Sequence, residues 1–125
     1  MNDWFPTTPQ AIYEAWLDGD RHAAMTGAGA TSDARVDGAF SAWDGYISGS
    51  YAELEQSHRI LMSWRTTDFA PQDQDSRFEV TLTAENQGTR VFFRHWDLPA
   101  DSSEDYGQGW LDFYFTPMRE YFSED

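Results

Sequence analysis

Cysteine and lysine are both absent from the 125 residues. Without cysteine there is no disulfide, no thiol nucleophile and no thiolate zinc site. No stretch approaches the ~18 consecutive apolar residues of a membrane span. The opening "MNDWFPTTPQ" has neither the basic nor the apolar segment of a secretory signal. A soluble, cytoplasmic protein is expected. Positive charge is scarce too: eight arginines stand against 22 acidic residues, for a net charge of −14. Such a surface repels phosphates, so neither nucleic acid nor an anionic membrane is expected as a partner. The acidic residues lean to Asp, as in "DGD", "DQD" and "DSSED". This Arg-only, Asp-rich balance suits a high-salt cytoplasm, as in a halophile, where screening relieves self-repulsion. An ordinary acidic protein is the alternative.

Aromatic residues are plentiful. Six Trp, six Tyr and nine Phe exceed what a core of this size needs in order to be filled. They predict either a Trp-rich solid core or rings that line a pocket. The length fits a single domain over residues 1–125. The three histidines, His22, His58 and His95, are far apart and show no H-x-H or H-x-x-x-H spacing, so no metal or cofactor is expected. His22 is placed on an exposed helix face and His58 in a turn. Gly27-Ala28-Gly29-Ala30 lacks the lysine of a phosphate loop and reads as a flexible mouth loop.

Period and punctuation predict the elements. "TTPQAIYEAWLDG" is a helix capped by Thr8, with Pro9 in its first turn and Gly19 at its end. "DRHAAMTG" is a second helix stopped by Gly27. The period then changes to two in "AFSAW", "YISGSYAEL", "RILMSWR", "RFEVTLTAE" and "TRVFFRHWD". Turn signals separate these strands, among them Asp44-Gly45 as a two-residue hairpin and Asn86-Gln87-Gly88. Gly49, in mid-strand, predicts a bend or bulge. "GAGATSDARVDG" reads as loop or edge strand. After Pro99, Ser102 or Ser103 caps a long helix with Glu104 and Asp105 in its first turn. Pro117 predicts a kink in that helix. The order gives an α+β fold, one curved antiparallel sheet wrapped around a long C-terminal helix, with two short N-terminal helices.

Alternation also assigns faces. Ile60, Met62 and Trp64 share one face of their strand, opposite Leu61, Ser63 and Arg65. Phe78, Val80 and Leu82 face inward, as do Val91, Phe93 and His95, because the arginines occupy the opposite sides. Trp110, Tyr114 and Met118 present the matching helix face. Glu53 is expected to pair with Arg65 across a hairpin.

These residues carry a family resemblance. The ordered set "GAF…WDGYISG…EL…HRILMSWR", "GTRVFFRHWDLP" and "GQGW…FYFTPMREYF" resembles the activator-of-Hsp90-ATPase-like family of the START/Bet v 1-like superfamily. The resemblance covers nearly the whole chain and implies the helix-grip fold. It also implies a hollow between sheet and helix that admits apolar or aromatic molecules. Members of that superfamily carry lipids, hormones or polyphenols, and some are aromatase/cyclases. The eukaryotic co-chaperone that names the family stimulates Hsp90 with an additional domain. Two departures stand out. Asp37-Gly38 replaces the adjacent glycines common before the first hairpin, and only "MNDWF" is available for the first strand.

Three functions follow as expectations. The first is binding of a small apolar or aromatic molecule by Phe40, Met62, Trp64, Phe93, Trp110, Tyr114 and Met118, with His95 as polar handle. The second is a chaperone-linked module whose partner is an Hsp90-type ATPase. The third is a cyclase or hydrolase using His95 as general base, with Asp97 on the same strand face but poorly placed to orient it.

Overall fold

Thr8 accepts a hydrogen bond from the Ala11 amide and Pro9 occupies the first turn, so α1 runs Pro9–Leu17 in the computed structural model, which describes residues 1–99 and 106–122. α1 ends at Asp18 rather than Gly19. Asp18 is extended and its carboxylate accepts from the Arg21 amide, so it caps α2, Gly19–Thr26. Gly27, with φ of 86°, closes α2 in the left-handed conformation a glycine adopts freely. The expected caps at Ser102 and Ser103, with Glu104 and Asp105, lie outside the described residues.

Seven strands form one curved sheet: β1 (Asn2–Phe5), β2 (Thr31–Ser32), β3 (Ala39–Ala42), β4 (Ile47–Glu55), β5 (Arg59–Thr66), β6 (Ser76–Glu85) and β7 (Gly88–Trp96). The order is β1-β7-β6-β5-β4-β3-β2, and every neighbouring pair is antiparallel. "MNDWF" supplies a four-residue edge strand on β7, and the ambiguous segment supplies a two-residue strand on β3.

Turn chemistry differs from expectation at one of the two hairpins. Asn86 and Gln87 both have positive φ and make the two-residue β6–β7 turn. At β3–β4 the loop has four residues, 43–46. Trp43 (φ 53°) and Asp44 (φ 57°) are its left-handed centres, and the Gly45 amide donates to Ala42 O at 3.2 Å. Trp43 takes a conformation that is costly for a bulky side chain because its ring is held from outside the turn.

The inward faces are as the alternation predicts: Ile60, Met62, Trp64, Phe78, Val80, Leu82, Val91 and Phe93 are buried. Leu61 is the departure. It points outward and is nevertheless buried, opposite Glu53 and Glu79. Arg59, two residues along that face, binds Glu53 at 3.4 Å and Glu79 at 2.6 Å and so covers it. The expected Glu53–Arg65 pair does not form, because register sets Arg65 opposite Ser48. Arg65 binds Asp75 at 2.8 Å and two loop carbonyls instead. Register shifts between Tyr51 and Glu53 rather than at Gly49. Gly49 serves a different need: a Cβ there would sit 1.9 Å from Ser63 O and 2.9 Å from the Phe40 ring.

The C-terminal helix is built of α3 (Tyr106–Trp110), a π-helical turn (Leu111–Phe115) and α4 (Thr116–Tyr121). Pro117 has no amide to give to the Phe113 carbonyl, so the regular α ladder is broken there. The chain widens by one residue and the Thr116 amide donates to Leu111 O. The irregularity expected as a kink at Pro117 is thus a π turn just before it. The widened turn buries Tyr114 and Phe115 together and leaves Phe113 exposed. Helix and sheet meet through rings. Phe78 and Trp110 stack at 3.9 Å, and Phe93 and Phe115 at 4.3 Å. Each such pair adds about 0.5–1.5 kcal/mol beyond the area it buries.

Candidate functional site: an aromatic groove at the helix end

The middle of the grip is filled. Between Phe40, Met62, Trp16, His22 and Tyr114 there remains a void of only about 10 Å³, at or below the space of one water. Open space lies toward the surface in two places: a wide hollow of about 860 Å³, lined by polar residues such as Glu14, Asp18, Asp20 and Arg21, and an aromatic one. A half-open groove of about 500 Å³ separates the face of the C-terminal helix at residues 106–114 from the β3–β4 turn and the Trp64 end of β5. Its size falls in the ordinary range for small-molecule sites.

Local structure explains each wall. The β3–β4 turn is pinned by two bonds to the glycine-rich loop: Asp44 N to Gly29 O, and Gly29 N to the Asp44 carboxylate. This fixes Trp43, whose ring meets Phe113 edge-on at 5.0 Å. Tyr46 donates its hydroxyl to Asp68 at 2.7 Å. Burial, with help from the Asp68 carboxylate, pushes its pKa up to about 12, so the phenol stays neutral. From the helix, Tyr106, Trp110 and Tyr114 complete the aromatic lining, and Asp112 is its carboxylate. The Trp43 indole N–H is buried and makes no close hydrogen bond, the Tyr114 hydroxyl being the acceptor near it.

Two histidines brace this wall from behind. Ser76 donates its hydroxyl to Trp64 O at 2.7 Å, so it accepts from His95 Nε2 at 2.8 Å. His95 Nδ1 then accepts from the Trp110 indole N–H at 3.2 Å. Both ring nitrogens are committed, and burial lowers the pKa to about 4. His95 is therefore a neutral ring that orients Trp110 and leaves no free nitrogen for a general base. Asp97 lies beyond the end of β7 in a left-handed conformation, not on the strand face.

His22 is the second brace, and the expectation of an exposed position is incorrect. It is buried, with Nδ1 donating to Trp16 O and Nε2 accepting from the Tyr114 hydroxyl, each at 2.9 Å. Burial lowers its pKa and raises that of Tyr114, with the nearby Trp43 N–H working weakly against the latter. The signal was present: His22, Met25 and Thr26 lie at i, i+3, i+4, and all three are buried.

Of the residues singled out from sequence, Trp64, Trp110 and Tyr114 line the groove. Phe40 and Met62 border the small void, together with Trp64 and Tyr114. Phe93 and Met118 lie in the core, and His95 stands behind Trp110. Trp43, Tyr46, Tyr106 and Phe113 were not anticipated. Their walls arise from a turn and from the π-helical register, neither of which alternation reveals. Among the described residues no group of three or more His, Asp or Glu converges as a metal site, and no helix is long and apolar enough to cross a membrane.

A curved antiparallel sheet gripping a C-terminal helix, with an opening beside that helix, defines the helix-grip class. The family model for "Activator of Hsp90 ATPase homolog 1-like protein" matches residues 6–123, and the chain belongs to that family. The human activator of 90 kDa heat shock protein ATPase homolog 1 is 28% identical over 122 residues. That match takes in 98% of this chain but only 36% of the human protein, so the chain spans about a third of its curated relative. Among solved structures, an HSP90 activator from Plasmodium falciparum superposes with a TM-score of 0.81 at 22% identity, covering 93% of this chain and 88% of that one. The Aha1 dimer from Colwellia psychrerythraea gives 0.80 at 13% identity, covering 98% and 92%. At these identities the two structures establish the shared fold.

Proposed function

We propose that this domain binds a small aromatic or apolar molecule in the groove beside the C-terminal helix. The observation that carries the reading is the lining of the groove, about 500 Å³ of space walled by aromatic rings, whereas the wider hollow beside α1 and α2 is lined mostly by polar residues and the void under the sheet holds about 10 Å³. One feature supports it. Trp43 is held in a backbone conformation costing on the order of 1–3 kcal/mol, and such strain collects at ligand sites. Titration with a panel of planar aromatic and lipid-like compounds tests the reading. Quenching of tryptophan fluorescence that is lost in Phe113→Ala supports it. A diverse panel that moves no tryptophan signal sinks it.

A second reading is favoured by the relatives. Proteins described as activators of a 90 kDa heat shock protein ATPase share the family, and the nearly solid interior is compatible with a domain that acts through its surface. In this reading the outer face around Arg94, which lies 4.4 Å over the Trp96 ring, contacts an Hsp90-type ATPase. Co-purification with such an ATPase and faster ATP turnover would support it. Absence of both, with the two proteins at saturating concentration, would count against it.

A further inference from the structure

We infer that the ligand of the aromatic groove is an organic cation, an ammonium carried on an aromatic or alkyl body. This inference rests on the reading of the groove as a ligand site and adds the sign of the ligand's charge.

Three observations converge. First, the walls offer π faces: Trp43, Tyr46, Trp64, Tyr106, Trp110 and Phe113 border one space. Such faces attract a cation through their quadrupole, most strongly where water is excluded. Second, the only charged side chain among the described lining residues is the carboxylate of Asp112. A second carboxylate, Asp68, stands behind the Tyr46 hydroxyl and leaves that oxygen electron-rich. Third, Arg65, the arginine next in sequence to the lining residue Trp64, is already committed. Arg65 is held by Asp75 and by the carbonyls of Ala70 and Asp73, and its guanidinium lies 5.5 Å over Phe69. An anionic ligand would therefore find no counter-charge, and it would approach a protein of net charge −14. The helix contributes positions 106, 108, 109, 110, 112, 113 and 114 to the groove. An ammonium ringed by aromatics, with a carboxylate at the edge, satisfies all three observations.

The test is a titration of tryptophan fluorescence with three matched probes. These are 3-phenylpropyl-trimethylammonium, its uncharged analogue with tert-butyl in place of trimethylammonium, and 4-phenylbutanoate. Salt near 1 M cuts the screening length to about 3 Å, so charge beyond the groove does not decide the outcome. The cation should bind about tenfold tighter than the neutral analogue, a difference of about 1.4 kcal/mol. The anion should bind weakest. Asp112→Asn should weaken the cation by roughly threefold and leave the neutral analogue unchanged, as expected for an exposed carboxylate. Phe113→Ala, at a residue 52% exposed and so safe for folding, should weaken both. Equal affinity for cation and neutral analogue overturns the charge inference and leaves the groove reading standing. Cation binding that Phe113→Ala does not weaken also overturns it, because the site is then elsewhere. No response to any probe removes both readings.

Discussion

His95 offers a quantitative test of how the groove wall is held. Its ring is neutral because burial lowers the pKa from 6.5 to about 4. Its ring neighbours Trp64, Phe78, Tyr106 and Trp110 are all uncharged, so no nearby carboxylate rewards protonation. The unfolded chain takes up the proton near pH 6.5, whereas the folded chain resists until about pH 4. The stability from the neutral ring is thus fully present above pH 6.5. It declines as pH falls through that window and is gone below about pH 4. The full difference is about 3 kcal/mol, most of which is lost between pH 7.5 and pH 4.5. Urea unfolding at those two pH values, for the native chain and for His95→Gln, isolates the contribution. Protonation of the many carboxylates changes both proteins alike, so the difference of differences belongs to His95. His95→Gln should be the less stable at pH 7.5 and should lose about 2–3 kcal/mol less on acidification. If both proteins lose the same amount, the ring is not the buried neutral acceptor described here.

Other consequences are direct. Gly49→Ala should destabilise by about 1–3 kcal/mol or more in the same urea assay, because its methyl meets the Ser63 carbonyl rather than a yielding side chain. Tyr114→Phe leaves His22 Nε2 without its donor and should cost about 1–3 kcal/mol, with no change in far-UV circular dichroism. Thermal melting should rise from low to molar KCl if self-repulsion among the 22 acidic residues limits stability, and a flat or falling series would reject that reading.

Period-two alternation made the sheet legible, because the central strands bury mainly one face, Leu61 of β5 excepted. Phe78, Val80 and Leu82 show it in one stroke, and Val91 and Phe93 repeat it on the next strand. Helix signals were equally local: Thr8, Pro9 and Gly27 act where they stand. What sequence concealed depends on pairing across distance. Arg65 could be matched to Glu53 only without knowing that register sets it opposite Ser48. His22 looked like an exposed polar residue because its partners, the Trp16 carbonyl and the Tyr114 hydroxyl, are brought together only by folding. The groove was half legible. Trp64, Trp110 and Tyr114 follow from facing, whereas Trp43 arrives through a left-handed turn and Phe113 through the π-helical register just before Pro117.

The most direct test of the groove as the binding site is a map of side-chain chemical shifts on ligand addition. The indole N–H signals of Trp43, Trp64 and Trp110 should move together with the ring of Phe113. The signals of Trp16 and the Met118 methyl, which lie in the filled core, should stay in place. Shifts centred instead on Phe40, Met62 and Met118 would mean that the interior opens to admit the ligand, and would contradict the account.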